Sequence, residues 1–381
     1  MLYFLSQQIP EWCQGTDWAE HLSYLRIFRY ITVRSAGAAL TALLLSWWLG
    51  PLVIRQLTAL GFGERWVRAA GAAPGAPLKT KHGTPTAGGL MIVMALSLST
   101  LLWAQMGNPL IEMTLLSVVV LCGLGFYDDY AKIAHGNAKG ASSWIKLVVQ
   151  TALALFIGVY LWLTPETTKL VSDIMVPFYK FPVASGVASV GILLTVLTIV
   201  GSSNAVNLTD GLDGLAIGCT LIVGVVFLVM TYLASNVKTS AYLLIPHVAG
   251  AGELTVFCAA LIGASLGFLW FNCHPAQMFM GDTGSLALGG ALGIVAVLIH
   301  QPLVLFIAGG VFVMEAGSVI IQTSYFKWTR LRYGAGRRVF LMTPIHHHFQ
   351  KLGWAETQVV TRFYILCVLF AVVALSTLKI R

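Results

Sequence analysis

Charge is what this sequence has least of. Only 10% of its 381 residues are charged, against about 25% in soluble domains, so a water-exposed shell around one apolar core is excluded. Its six cysteines include no Cys-x-x-Cys pair, and Cys122, Cys219, Cys258 and Cys367 fall inside apolar runs. Neither a disulfide framework nor a zinc site is expected. The first twenty residues hold Glu11, Asp17 and Glu20 but no lysine or arginine, unlike the basic start of a secretory signal. A Walker A sequence is missing. So is any basic module interleaved with aromatics, and the net charge of +8 therefore does not point to nucleic acid.

Apolar residues fill the space instead. They make up 57% of the chain, grouped in runs near the roughly 20 residues that cross a bilayer. Ten runs stand out, at 23–49, 86–104, 112–127, 144–164, 187–203, 215–233, 254–271, 285–300, 302–325 and 358–378. They predict an all-α, polytopic integral membrane protein with ten transmembrane helices in a single domain over 1–381. Residues 1–22 form an external segment, and cytoplasmic loops lie at about 50–85, 128–143, 204–214, 272–284 and 326–357. Those loops and their edges carry fourteen lysines and arginines, the opposite loops and the C-terminus five, which places both termini outside. Arg26, Arg29 and Arg34, at the start of the first run, weigh the other way. On the external side, His247 and Glu253 read as solvated.

The remaining polar residues gather between the runs. The stretch 204–214, Asn-Ala-Val-Asn-Leu-Thr-Asp-Gly-Leu-Asp-Gly, sets two acids and two amides between apolar helices. Asp210 or Asp213 alone would serve as a helix cap. Asn204, Asn207, Asp210 and Asp213, in steps of three, would share one face of a continuing helix. Asp128 and Asp129 end the third run, followed by Lys132. Paired acids there oppose the helix dipole, so they are either a solvated turn or a functional pair. Asp282, between glycine and threonine, offers the oxygen ligand that Mg²⁺ takes.

Residues 79–89 read as a turn or as a phosphate cradle, and Phe279 as an interfacial anchor or a base-stacking ring. Glu315, with Gln322 two turns on, reads as an inter-helix contact or a substrate contact. His346, His347 and His348 diverge by about 100° each on a helix, so all three cannot chelate one metal. A loop would gather two, and donation to phosphate oxygens fits as well. Every motif falls on the predicted cytoplasmic side, and together they supply what phosphoryl transfer uses: carboxylates for a metal and cations for phosphate. An ion-coupled transporter would instead need acids near mid-span and repeat symmetry.

With these residues assembled, the chain resembles the phospho-N-acetylmuramoyl-pentapeptide transferases, a branch of the polyprenyl-phosphate N-acetylhexosamine-1-phosphate transferase superfamily. The resemblance covers nearly the whole chain. It rests on Lys81-x-Gly-Thr-Pro-Thr-x-Gly-Gly89, Asp128-Asp-Tyr130, the 204–214 stretch, Phe279-Met-Gly-Asp-Thr-Gly-Ser285 and Pro344-Ile-His-His-His348. It implies a homodimer of ten-helix subunits in the bacterial inner membrane, with a cytoplasmic cleft open to membrane lipid. The implied reaction moves phospho-MurNAc-pentapeptide from UDP-MurNAc-pentapeptide to undecaprenyl phosphate, giving lipid I and UMP, with Mg²⁺ required, in the first membrane step of peptidoglycan synthesis.

Carried over by position, Asp282 would hold the metal, with Asp128 and Asp129 as further candidates. These three and His346 would form the catalytic set. Asp213, Asn272 and Phe279, helped by Gly211 and Leu212, would hold uridine. Lys81, Thr86, Asn207, Asp210, Gln322 and His347 would line the nucleotide and diphosphate region. The alternative is a related transferase for N-acetylglucosamine-1-phosphate or another amino-sugar phosphate; the histidine triplet and the Gly-Thr-Pro-Thr motif favour the first branch.

Overall fold

A chain crossing lipid satisfies its backbone groups as a helix or a closed barrel, and these runs take the helical route. The computed structural model describes residues 2–12, 23–62, 84–134 and 140–378, and no strand occurs among them. A short helix α1 (Leu2–Trp12) and a 3-10 segment (Ser23–Arg29) come first. Then follow α2 (Ile31–Ala59), α3 (Gly89–Trp103), α4 (Pro109–Ala134), α5 (Ser143–Leu163), the short α6 (Lys169–Ser172), α7 (Ala188–Thr209) and α8 (Leu215–Ser235). The remainder are α9 (Val237–Leu243), α10 (Ala251–Asn272), α11 (Gly281–Leu298), α12 (Pro302–Ala308), α13 (Gly310–Tyr333), α14 (Ile345–Lys351) and α15 (Glu356–Ser376).

Among the described residues, eight helices are long and apolar enough to cross a membrane: α2, α4, α5, α7, α8, α10, α11 and α15. The pair α12 and α13, bent by 84°, makes a ninth if taken as one broken span. The bend falls at Gly309–Gly310, where two residues of poor helix propensity adjoin. Helix α3 is as apolar but only 15 residues long. The expected ten crossings therefore stand as eight, or nine with the bent pair.

Helices α10 and α11 are buried along nearly their whole length. Helices α2 and α8 flank the first, and α4 and α7 flank the second. Several helices outrun the limits that hydropathy suggests. The first run divides into the 3-10 segment and α2, which continues past Pro51 to Ala59. Helix α4 continues to Ala134, α7 to Thr209 and α13 to Tyr333. In α4 and α7 hydropathy falls before the backbone ladder ends because Asp128, Asp129, Asn204 and Asn207 find partners on neighbouring helices, whereas the last turns of α2 and α13 are largely exposed.

At the other end of the bundle, Glu253 departs from the solvated reading. It is buried, and its oxygens take Arg34 at 2.6 and 2.7 Å and the N–H of Gln105 at 2.7 Å. The Arg34 guanidinium lies 4.6 Å from the Tyr3 ring of α1. Neutralised in this way, Arg34 no longer counts among the cations that weighed against the loop charge bias. His247 is exposed, as expected.

Candidate active site

Helices α4 and α11 cross at Gly125, where a β-carbon would collide with the backbone of Asp282 and Thr283. Glycine lets the first turn of α11 lie directly on α4, one turn before Asp128 and Asp129. The two adjacent acids then face different groups. Asp129 Oδ1 accepts the N–H of Asp282 at 3.2 Å, and its Oδ2 accepts the N–H and the hydroxyl of Thr283 at 3.0 and 2.7 Å. A carboxylate on one helix thus caps the start of another, where free N–H groups and the dipole favour an anion.

Asp128 Oδ1 accepts the N–H of Ala141 at 2.7 Å. Its Oδ2 lies 2.7 Å from Lys132 Nζ and 2.9 Å from Lys146 Nζ. The same two ammonium groups reach Asp282 Oδ2, at 3.1 and 2.7 Å. Asp282 Oδ1 accepts from the amide of Asn207 at 2.8 Å, and that amide also reaches Ser285 Oγ at 2.8 Å. Three helices, α4, α5 and α11, therefore bring three carboxylates and two lysines into one cluster, with Asn207 of α7 beside them, and the lysines offset repulsion between the acids. Oxygens of Asp128, Asp129 and Asp282 all lie within 4.8 Å of one another, a donor set that suits a hard cation. Asp129 has both oxygens taken by α11. Asp128 and Asp282 are the pair joined through the two lysines, which already place positive charge between them.

The 204–214 stretch does not present its four polar residues on one face, because the helix stops at Thr209. Asn204 donates to Gln150 Oε1 at 2.8 Å, and Asn207 serves Asp282. Asp210, at the C-cap, accepts the N–H of Gly281. Burial, then the charges of Asp282 and Asp129, push its carboxyl up to about 8. Asp213 points elsewhere: its Oδ2 lies 3.1 Å from His274 Nδ1 and accepts the N–H of Ala276 at 3.2 Å. The N–H of Asp213 donates to Glu356 Oε1 at 3.0 Å.

Buried Asn272 ties the two segments together, accepting the N–H of Gly214 at 3.0 Å and donating to Met278 O at 2.8 Å. Leu212 is buried beneath the turn. Residues 84–89 dock on 278–280: the N–H of Phe279 donates to Pro85 O at 2.8 Å, and the N–H of Gly88 to Phe279 O at 2.9 Å. This leaves the Phe279 ring half-buried and sets buried Thr86 beside Gly281.

The three histidines diverge from α14. His346 is fully buried, with Nδ1 3.0 Å from Glu315 Oε2, and its ring lies against Gly211, where a β-carbon would collide with Nε2. His347 Nδ1 meets Gln350 Oε1 at 2.8 Å. Burial, then the neighbouring His346, holds His347 below the ordinary imidazole range. His348 Nδ1 accepts the N–H of Leu341 at 3.2 Å. Gln322 accepts from the N–H groups of Val339 and Phe340 and donates to Phe340 O, so its amide braces the segment before α14.

Asp128, Asp129, Asn207, Asp210 and Asp282 thus meet around the first turn of α11. Gly211, Leu212, Asp213, Asn272 and His346 meet around the adjoining turn, with Thr86 and Phe279 on its flank. Gln322 stands apart, and Lys81 lies outside the described residues. Sequence reasoning missed Lys146, Thr283, Ser285, His274 and Glu356 as members of the site. The four-residue spacing of Asp128 and Lys132 on a helix, and a lone Lys146 at the start of an apolar run, were the available signals.

The opposite side of α7 lines an apolar groove of about 370 Å³ with α12 and α13, through Leu194, Leu197, Ala205, Phe306, Phe312 and Ile320. A cavity of about 800 Å³ at the other end of the bundle, among Asn108, Lys180, His247 and His300, holds none of the expected site residues.

The model for glycosyl transferase family 4 matches residues 110–300. Over 366 residues the chain is 47% identical to the phospho-N-acetylmuramoyl-pentapeptide-transferase of Methylacidiphilum infernorum, covering 95% of this chain and 97% of that protein. It is 50% identical over 355 residues to the protein of the same name from Desulfotalea psychrophila, covering 93% and 95%. The corresponding protein of Opitutus terrae is 48% identical over 367 residues, covering 96% and 98%.

Proposed function

The chain belongs to the phospho-N-acetylmuramoyl-pentapeptide transferases of glycosyl transferase family 4, and from that premise we propose how its residues carry the reaction. The enzyme transfers phospho-MurNAc-pentapeptide from its UDP carrier to undecaprenyl phosphate, giving lipid I and UMP. It is a multi-pass protein of the bacterial inner membrane. In our reading the short α3 and the bent α12–α13 pair complete ten crossings, both termini face outward, the acidic cluster faces the cytoplasm, and two subunits pair.

The observation that carries the reading is the Asp128–Asp282 pair bridged by Lys132 and Lys146, next to the 210–214 turn. A sugar nucleotide brings a pyrophosphate that needs cations; a lipid phosphate brings a second anion. The two lysines offer positive charge to both. The turn, with Asp213, Asn272, Gly211, Leu212 and Phe279, seats uridine, and Thr86, Asn207, Asp210, His346 and His347 border the phosphates. The apolar groove beside α7 suits the polyprenyl chain, since the same helix carries Asn207 to Asp282.

Asp128 and Asp282 fit a Mg²⁺ ion, which would polarise the pyrophosphate and neutralise the charge that builds on it. Asp128, rather than Asp129, faces the reacting groups, because Asp129 is held by α11. We favour direct attack. A lipid-phosphate oxygen forms the new bond to the β-phosphorus, and the bond from that phosphorus to the oxygen of UMP breaks. Any proton on the lipid phosphate passes to Asp128. The nucleophile is already an anion, so positioning and charge neutralisation supply the rate.

A substrate panel tests the assignment. Purified protein with undecaprenyl phosphate should accept UDP-MurNAc-pentapeptide and refuse UDP-N-acetylglucosamine. Transfer from the latter alone would move the chain to the neighbouring branch.

A further inference from the structure

Glu315 and His346 are both fully buried, and neither is complete. Glu315 Oε1 and His346 Nε2 have no hydrogen-bond partner among the described residues. The contact between Glu315 Oε2 and His346 Nδ1, at 3.0 Å, is one of charge and proximity. The N–H of His346 points to the same oxygen at 3.5 Å. Buried polar atoms without partners are rare and mark places where something else completes them. A carboxylate inside a membrane helix is costly unless a positive charge answers it.

The missing partner of Nε2 has a direction. Gly211 lies directly against that nitrogen, and a β-carbon there would collide with it. The titratable groups around the ring are Glu315 on α13, His347 on its own helix, Asp210 and Asp213 in the facing turn, and Glu356 at the start of α15. Four of those five are acids, so a proton added to this ring sits among negative charge.

We propose that Glu315 is a positioning residue that makes His346 take up a proton when an anionic nucleotide binds, so that Nε2–H donates to a phosphate oxygen at the Gly211 turn. This rests on reading the 210–214 turn as the nucleotide seat. The proton comes from solvent to Nε2, and the imidazolium then lies between two anions, the Glu315 carboxylate and the phosphate. Without Glu315 the ring faces the phosphate alone, and uptake falls. Asp210, with its carboxyl at about 8, would also take up part of a proton when an anion binds beside it, so comparison is made between variants under one condition.

The test is calorimetry of UMP binding to the purified full-length protein at about pH 8, without divalent metal, in buffers of different ionisation enthalpy. The slope of enthalpy against buffer ionisation gives the protons exchanged. Wild type should take up close to one proton per UMP. Glu315→Gln should take up at most about half as much and bind roughly tenfold more weakly. Glu315→Asp, which keeps the charge, should restore uptake.

Uptake by Glu315→Gln equal to wild type overturns the proposal, as does wild-type uptake near zero, which decides the matter even if the Gln variant does not fold. The His346→Asn variant separates the two levels. Unchanged UMP affinity there removes His346 from the nucleotide seat, and the pairing with it. Weakened affinity with wild-type uptake keeps the seat and ends the pairing.

Discussion

The hydroxyl and the N–H of Thr283 both donate to Asp129 Oδ2, at 2.7 and 3.0 Å. Two neighbouring acids of identical chemistry are thereby given different work, one capping a helix and the other facing two lysines. Losing a capping carboxylate costs about 1–2 kcal/mol. Asp129→Ala should therefore lower the unfolding temperature and reduce turnover by displacing Asp282. Asp128→Asn should abolish turnover with little change in stability. Thermal unfolding and the transfer assay on both variants check the division; equal destabilisation by the two would undo it.

Asp282 is the acid both lysines and Asn207 converge on. Asp282→Asn should lose at least about a hundredfold in kcat, on the scale of losing one preorganised charged group, and raising Mg²⁺ should not restore it. Steady-state rates across a Mg²⁺ titration provide the check.

Asp210 gives a pH dependence of known sign. Its folded value of about 8 exceeds the ordinary 3.8, so the folded state favours the protonated form. The stability this confers is full below the ordinary value and is lost as pH rises towards 8, by at most about 1.4 kcal/mol per unit. Asp210→Asn removes that loss. The variant should unfold at a higher temperature than wild type at pH 8, with the gap closing at pH 5, whatever happens to its activity.

Gly211→Ala puts a methyl group against His346 Nε2. The expected result is UMP binding weakened about tenfold, near 1.4 kcal/mol, with the fold intact. Titration calorimetry and a melting curve read the two effects separately.

The Arg34–Glu253 pair sits at the end of the bundle away from the cluster. Removing one partner leaves an uncompensated buried charge at about 3–5 kcal/mol. Arg34→Met should be severely destabilised and Arg34→Met with Glu253→Leu much less so, while the folded fraction of each keeps wild-type KM. A double-mutant cycle on unfolding temperature measures the coupling.

These pairs also mark how far the sequence could be read. That Asp128, Asp210 and Asp282 belong together was legible, because acids beside apolar helices are costly and few, and the structure gathers them around the first turn of α11. Which partner each takes was not: Thr283 lies 154 positions from Asp129, and Glu253 lies 219 from Arg34, so Glu253 read as solvated when it is paired. The helical class followed from composition. The crossing count was legible in part: eight runs, or nine with the pair bent at Gly309, are helices long enough to cross, while the run at 86–104 is a helix of 15 residues. The 204–214 spacing suggested one polar face, yet the backbone turns at Asp210 and sends Asp213 to His274. Glu315 read as an inter-helix contact or a substrate contact, and the structure sets it 3.0 Å from His346 of α14, a partner that spacing did not name.

The most direct measurement follows label and leaving group together, in purified protein stripped of polyprenyl phosphate and supplied with Mg²⁺ and UDP-MurNAc-pentapeptide labelled in the peptide. With undecaprenyl phosphate added, direct transfer predicts one UMP released for each labelled lipid formed. Without it, there should be neither UMP release nor exchange of UMP into the sugar nucleotide. Exchange in the absence of lipid would show a covalent phospho-sugar intermediate on the protein. No labelled lipid under any condition would contradict the reaction itself.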